Sequence, residues 1–377
     1  MTQHNGLRTW IEISIESLRH NYSLFRGIIS PSTKLMAVVK SNAYGHSILD
    51  YAKNLDAFGV DFFGVDSVVE AEALRKDGIQ KPLLVLGYTL PERFSEAHSK
   101  DISFTISSHD HIRMMGVSEN KVPLKVHLKL DTGMHRQGFM VHEMESLISV
   151  LREAEKSGRL KVEGVYTHFS SAKNPAAPQS TFGQIDLFKE MAKKIEEGIG
   201  HAVTKHAAAT GGALLFPEAH FDMVRIGIGF TGLWPSLETR HSLHEKYSLK
   251  PILSWKTIIS EVKKIPAGST VGYDQTEAVK RDTMLAICPV GYWHGFRRSL
   301  SSVGSVFIGG QSCRVLGRVS MDMIIIDCTD LRNVAVLDEV VLIDAVLGNI
   351  YEMAEASATS HYEIVTQLNP LMRRIYL

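Results

Sequence analysis

The stretch Met36-Ala-Val-Val-Lys-Ser-Asn-Ala-Tyr-Gly-His46 sets a single lysine at the end of an apolar run. Residues 35–39 read as a strand buried on both faces, and 41–45 as the loop that follows it. An ammonium at such a junction is stripped of water, and desolvation favours a neutral amine. A neutral amine is the nucleophile that forms a Schiff base with an aldehyde cofactor. The plainer alternative is a lysine whose stem lies along the strand end while its head stays in water.

Working outward, this run is the first of eight of its kind. LMAVV (35–39) is followed by FFGV (62–65), LLVLG (83–87), ISFTI (102–106) and LKVHLKL (124–130). VEGVYTHF (162–169), VTKHAAA (203–209) and MVRIGIG (223–229) complete the set. Helix-like segments lie between them, at 68–76, 143–157 and 182–197 among others. This alternation predicts an eight-stranded parallel (β/α)8 TIM-type barrel over residues 10–240 rather than an open doubly wound sheet. The absence of GxGxxG after the first strand also weighs against dinucleotide binding. Beyond it, residues 241–377 are strand-rich with Gly and Pro punctuation, which predicts a predominantly β C-terminal domain. A short helix is expected over 350–358 and a closing strand within IVTQLNPLMRRIYL (364–377). The N-terminal strand within residues 1–14 alternates polar and apolar residues and is expected to pair with that domain.

Bulk properties narrow the function. Of 377 residues, 41 are basic and 41 acidic, so no charge excess marks a nucleic-acid or anionic-membrane partner. Apolar content of 44% supports a buried core. No run approaches the ~18–20 apolar residues of a membrane helix, and the N-terminus lacks an apolar signal core. Cys288, Cys313 and Cys328 sit in strand-like contexts and read as buried free thiols. A cytoplasmic protein is expected.

Further strand ends carry polar groups that a barrel interior otherwise excludes. Lys129, Asp131 and Arg136 follow the fifth run, His168 ends the sixth, Thr210 opens a small-residue turn, and Arg225 precedes Gly227 and Ile228. Amides at such turns hold phosphate dianions. Taken singly, each has an ordinary reading: an Asp131–Arg136 ion pair at the rim, a satisfied core histidine, a plain helix start.

The string AVVKSNAYGHS (37–47) resembles the AVVKANAYGHG signature of the alanine racemases, differing only at Ser41 and Ser47. DTGMHRQGF, THFSSA and VRIGIGFTGLWPS are similar to further family segments. So are VGYD, CPVGYWHGFRR and GRVSMDMIIID in the second half, so the resemblance spans nearly the whole chain. It implies pyridoxal 5'-phosphate (PLP) carried on Lys40, with Tyr44, Thr210, Gly227 and Ile228 toward its phosphate and Arg225 at its ring nitrogen. Arg136 then meets the substrate carboxylate, with Met321 and Asp322 at the same end and Tyr292 at the entrance. Lys129 falls where some members carry a carbamylated lysine, and His168 stands behind the catalytic tyrosine, matched here by Tyr273. Three positions depart from the pattern. Ala209 replaces an asparagine, His294 replaces an aspartate, and Pro370 aligns with a phosphate-contacting tyrosine; these bear on cofactor affinity and pocket shape.

The implied activity is interconversion of L- and D-alanine by two bases, Lys40 and Tyr273, on opposite faces of the substrate. The family supplies D-alanine for peptidoglycan and works as a head-to-tail homodimer with shared active sites. Alternatives on the same fold are a racemase of serine or another amino acid, and a non-catalytic PLP carrier. A decarboxylase of similar layout places a carboxylate where Arg225 stands.

Overall fold

The computed structural model describes residues 6–115 and 122–377. Two compact units emerge, one of residues 19–43 and 48–249, the other of the segment through Leu18, Tyr44–Ser47 and Lys250–Leu377.

In the first unit the strands β2 (Lys34–Val38), β3 (Phe62–Val65), β4 (Leu83–Val85) and β5 (Ile102–Ile106) are followed by β6 (Leu124–Lys129), β7 (Leu160–Tyr166), β8 (Thr204–His206) and β9 (Met223–Ile226). They close into the expected barrel in sequential order, and β9 pairs back to β2 in parallel through Met36↔Arg225. Strands enclosed on both faces need no polar alternation, and every residue of β3 and β5 is buried. The helix Val68–Lys76 starts where Ser67 accepts the amide of Glu70, and Arg75 and Lys76 complement its C-terminal dipole. The helix Gln179–Ile199 buries Ile185, Phe188, Met191 and Ile195 at helical spacing and stops at Gly200, whose φ of 82° ends it. Truncating Phe188, fully buried, to alanine is expected to cost about 3–5 kcal/mol.

Several strands end earlier than the sequence expectation, most clearly β7 and β8. Residues 167–169 leave the ladder after β7, and 207–209 leave it after β8. The carbonyl of Ala208 is taken by the Arg225 amide and that of Ala209 by the Ala213 amide, so this stretch already serves a turn and a helix start. The loop expected at 41–45 is instead part of a helical segment, Lys40–Gly45, of opposite hand to an ordinary helix.

In the second unit β1 (Thr9–Ile13) lies between β10 (Leu253–Ile258), antiparallel, and β19 (Arg374–Tyr376), parallel. Between these come β11 (Glu261–Ile265), β12 (Thr270–Val271), β13 (Glu277–Ala278), β14 (Thr283–Cys288), β15 (Ser305–Ile308), β16 (Gln311–Arg314), β17 (Ile324–Asp327) and β18 (Glu339–Ile343). They make a six-stranded sheet in the order β16-β15-β18-β10-β1-β19, a three-stranded sheet β11-β14-β17, and the small pair β12-β13. Trp10, Trp255 and Phe296 are buried, and Trp255 donates its indole N–H to Thr9 at 3.1 Å. The expected closing strand shrinks to β19. Ser360 accepts the amide of Glu363 and starts a helix, His361–Thr366, where a strand was expected from residue 364. All three cysteines are free and buried. Burial pushes the thiols of Cys313 and Cys328 up to about 11 and that of Cys288 higher still. Among the described residues no helix is long and apolar enough to cross a membrane.

Candidate active site

Lys40 stands at the C-terminal mouth of the barrel, two residues past β2. Its side chain is 39% exposed and its ammonium lies 3.4 Å from Asp66, just past β3. The burial expected of it is therefore not found, because β2 ends at Val38 and Lys40 already belongs to the mouth. Ser41, Asn42, Ala43 and Tyr44 all have φ between 52° and 55°. A left-handed turn of non-glycine residues costs about 1–2 kcal/mol per residue, so its surroundings must hold it. Ala43 donates back to the Val39 carbonyl at 2.9 Å. The Glu70 carboxylate takes the amides of Asn42 and Asp66, at 3.3 and 2.8 Å, and the Asn42 side chain takes the amide of Ile48. Glu70 and Asp66 had no signal in the sequence reading.

Inside the mouth the charge balance is cationic. Arg225 is fully buried; burial lowers its pKa to about 10, which leaves it a guanidinium at neutral pH. Nη1 donates to the His206 ring and carbonyl at 3.0 and 2.9 Å. Nη2 donates to the carbonyls of Thr167 and Ala207 at 2.8 Å and lies 3.5 Å from His168. Four of its five N–H groups are thus fixed by the barrel, and Nε–H remains without a protein partner among the described residues. Arginine only donates, so His206 Nδ1 is the acceptor and its Nε2 carries the proton. That proton goes to His127 Nδ1, 2.9 Å away. Gly164 makes room for this pair, since a Cβ there would lie 2.3 Å from His127 Nδ1. Burial, reinforced by Arg225 among neighbouring cations, lowers His168 to about 2, His127 to about 3 and His206 well below its ordinary value. All three are neutral.

Lys129 is buried too, its amine 4.4 Å above the Tyr166 ring. Burial first, then Arg225 and Arg136, lowers its pKa well below that of an ordinary lysine, and Asp131 opposes this only weakly. Tyr166 stacks on His206 at 4.8 Å and shares a hydrogen bond with Thr105. Asp131 makes no ion pair with Arg136, contrary to the simple rim reading. Its carboxylate takes the amides of Gly133, Met134 and His135 at 2.9–3.1 Å. Burial works to raise its pKa, but those amides outweigh it and hold the carboxyl below its usual range. Arg136 follows this turn and is exposed. Thr210, at the start of the helix Thr210–Leu215, accepts the Gly229 amide at 3.2 Å. A Cβ on Gly229 would lie 2.7 Å from the Thr210 methyl, so the turn carrying Gly227 and Ile228 sits tight against Thr210.

The second unit carries the remaining expected residues. Tyr273 is 64% exposed on a turn shaped by Gly272 (φ 77°) and Asp274 (φ 59°). Asp274 is 2.9 Å from Arg318. The amides of Tyr292 and Trp293 bind the carbonyls of Ser320 and Met321, both at 3.0 Å, which knits the two motifs together. A Cβ on Gly291 would fall 2.2 Å from the Ser320 carbonyl, so glycine is required there. His294 accepts the Gly291 amide and lies 3.9 Å from Asp322, which explains how a histidine is accommodated at that position. Tyr44 packs edge-on to Tyr362 at 6.4 Å. Tyr362 is thus a C-terminal tyrosine beside Tyr44. Burial raises the Tyr44 phenol to about 12, so it stays a hydrogen-bond donor.

A closed parallel barrel with a lysine, two arginines and neutral histidines at its C-terminal mouth defines an enzyme built on the barrel class. The matches to known proteins make this specific. Residues 13–235 match the alanine racemase N-terminal domain and 252–376 the C-terminal domain. The alanine racemase of Leptospira interrogans (serovar Lai, strain 56601) is 36% identical over 380 residues, covering 97% of this chain and 95% of that one. That of Syntrophobacter fumaroxidans is 37% identical over 361 residues, with 94% of each covered. The solved alanine racemase of Streptomyces coelicolor A3(2) superposes with a TM-score of 0.92 at 31% identity, covering 99% of this chain and 98% of that one. The chain belongs to the alanine racemase family, a family of isomerases.

Proposed function

We propose that this protein interconverts L- and D-alanine with pyridoxal 5'-phosphate as cofactor. The observation that carries the reading is the spare Nε–H of Arg225: a donor left over on a buried, fixed guanidinium beside the lysine-bearing mouth suits a ring nitrogen that accepts one hydrogen bond. Lys40 would carry the cofactor. Tyr44, Thr210 and the turn of Gly227 and Ile228 would hold its phosphate. Bound there, the cofactor supplies an aldehyde carbon for the substrate amine and a ring that draws electrons from Cα.

The rest of the chemistry falls to side chains. Lys40 takes or returns the Cα proton on one face and Tyr273 on the other, because one base fixed on one side serves the opposite face poorly. Arg225 keeps its proton, so a ring nitrogen held against its Nε–H would stay unprotonated and would withdraw electrons less strongly. The proton then returns promptly to Cα, which suppresses side reactions. Neutral His168 orients Tyr273. Arg136 binds the substrate carboxylate together with Met321 and Asp322, Lys129 beside Arg136 steers it, and Tyr292 lines the entrance. Tyr273 would come from a partner copy in a head-to-tail homodimer. A cytoplasmic supply of D-alanine for peptidoglycan is the role this reading fits.

The test is chiral chromatography of L-alanine, D-alanine and L-serine after incubation with cofactor-loaded protein. Racemisation of alanine in both directions is expected. It should be lost in Lys40→Ala together with the cofactor absorbance, and lost in at least one direction in Tyr273→Phe with the absorbance retained. Full racemisation by Tyr273→Phe would remove the two-base assignment, and turnover of serine with alanine untouched would move the substrate.

A further inference from the structure

We propose that Arg374 is a positioning residue for the cofactor, a C-terminal clasp that fixes the Tyr44 phenol by gripping the carbonyl of the residue after it. The inference rests on the reading that Tyr44 donates to the cofactor phosphate, and it deepens that reading.

Arg374 is 7% exposed. Its Nε and Nη2 both donate to the Gly45 carbonyl, at 3.1 and 2.9 Å. Nη1 donates to the carbonyls of Asn369 and Met372 at 2.6 and 2.7 Å, and Nη2 also reaches that of Leu368 at 3.2 Å. The whole fork is spent on backbone carbonyls, and no carboxylate pairs with it among the described residues. A buried cation held only by partial charges is an expensive way to stabilise a fold. What the fork provides that an apolar residue cannot is a rigid, two-pronged grip on one carbonyl oxygen.

That oxygen ends the left-handed turn. Gly45 is pressed against the helix His361–Thr366 so closely that a Cβ would lie 1.9 Å from the Val365 carbonyl. The next carbonyl, of His46, is taken by the Tyr376 hydroxyl at 2.6 Å. Arg374 and Tyr376 are themselves fixed by β19, which pairs with β1 through Ile11↔Arg374 and Ile13↔Tyr376. The backbone just past Tyr44 is thus held from three directions, and the Tyr44 ring is steadied by Tyr362. A phenol meant for a phosphate oxygen needs that constraint, since a misplacement of a fraction of an ångström forfeits the hydrogen bond.

The experiment is a double-mutant cycle on cofactor affinity, read by equilibrium dialysis of pyridoxal phosphate and by the phosphorus-31 resonance of the bound cofactor. Tyr44→Phe and Arg374→Lys are each expected to weaken binding roughly tenfold or more, the worth of one charge-assisted hydrogen bond. The double variant should be no weaker than Tyr44→Phe alone, with the phosphorus resonance displaced in the same sense in all three. Multiplying effects, or an Arg374→Lys protein with unchanged affinity, would overturn the clasp. Unchanged affinity in Tyr44→Phe would overturn the phosphate reading beneath it, a distinguishable failure. Tyr376→Phe removes the hydroxyl that holds the His46 carbonyl and serves if Arg374 variants do not fold: weaker binding that vanishes in the Tyr44→Phe background supports the clasp, and unchanged binding refutes it.

Discussion

Acidification should destabilise the barrel well before its carboxylates titrate. His127, His168 and His206 are held neutral by burial and neighbouring cations, at about 3, about 2 and well below the ordinary 6.5. Their folded values are depressed, so between those values and ~6.5 the unfolded chain binds more protons than the native one. The stability they contribute is therefore complete above pH ~6.5 and lost as pH falls. Each such group costs about 1.4 kcal/mol per pH unit in that window, hence about 2 kcal/mol at pH 5 and about 4 kcal/mol for His127 and His168 together, with His206 adding in the same direction. That is a large fraction of the stability of a typical domain, ~5–15 kcal/mol. His111 and His294, also lowered by burial, push the same way. Urea unfolding followed by tryptophan fluorescence at half-unit steps from pH 7.5 to 5 checks this. The midpoint should fall steeply below pH 6.5, and His127→Gln should take away about one proton of that dependence. A midpoint flat from pH 7 to 5, or a slope untouched by His127→Gln, would refute the reasoning.

Gly164→Ala should cost about 2–4 kcal/mol, because its Cβ displaces His127 and leaves the His206 proton unpaired; an unchanged unfolding midpoint counts against the tight fit. Lys129, whose amine burial and then Arg225 and Arg136 hold well below the ordinary lysine pKa, should take up carbon dioxide, giving a carbamate carbon-13 resonance from labelled bicarbonate that disappears in Lys129→Ala. Absence of that signal would leave Lys129 as a plain amine. Cys288, Cys313 and Cys328 should resist a thiol reagent in the native protein and react fully in denaturant, since burial both shields and protonates them; rapid native labelling would contradict their placement.

The barrel was legible along the chain because its strands are enclosed on both faces and each reads as a local apolar run. Lys40, Arg136, His168 and Arg225 were legible as polar residues at the ends of such runs. Those signals are carried by adjacent residues and survive without knowledge of what packs where. Only the folded arrangement decided the rest. Glu70 holding Asn42, His127 paired with His206, Tyr362 against Tyr44, and Arg374 gripping Gly45 join residues from 28 to 329 positions apart. The hand of the turn after Lys40 was equally hidden. Ser, Asn, Ala and Tyr have no intrinsic reason to adopt positive φ, and they do so because contacts made elsewhere in the chain outweigh the local cost.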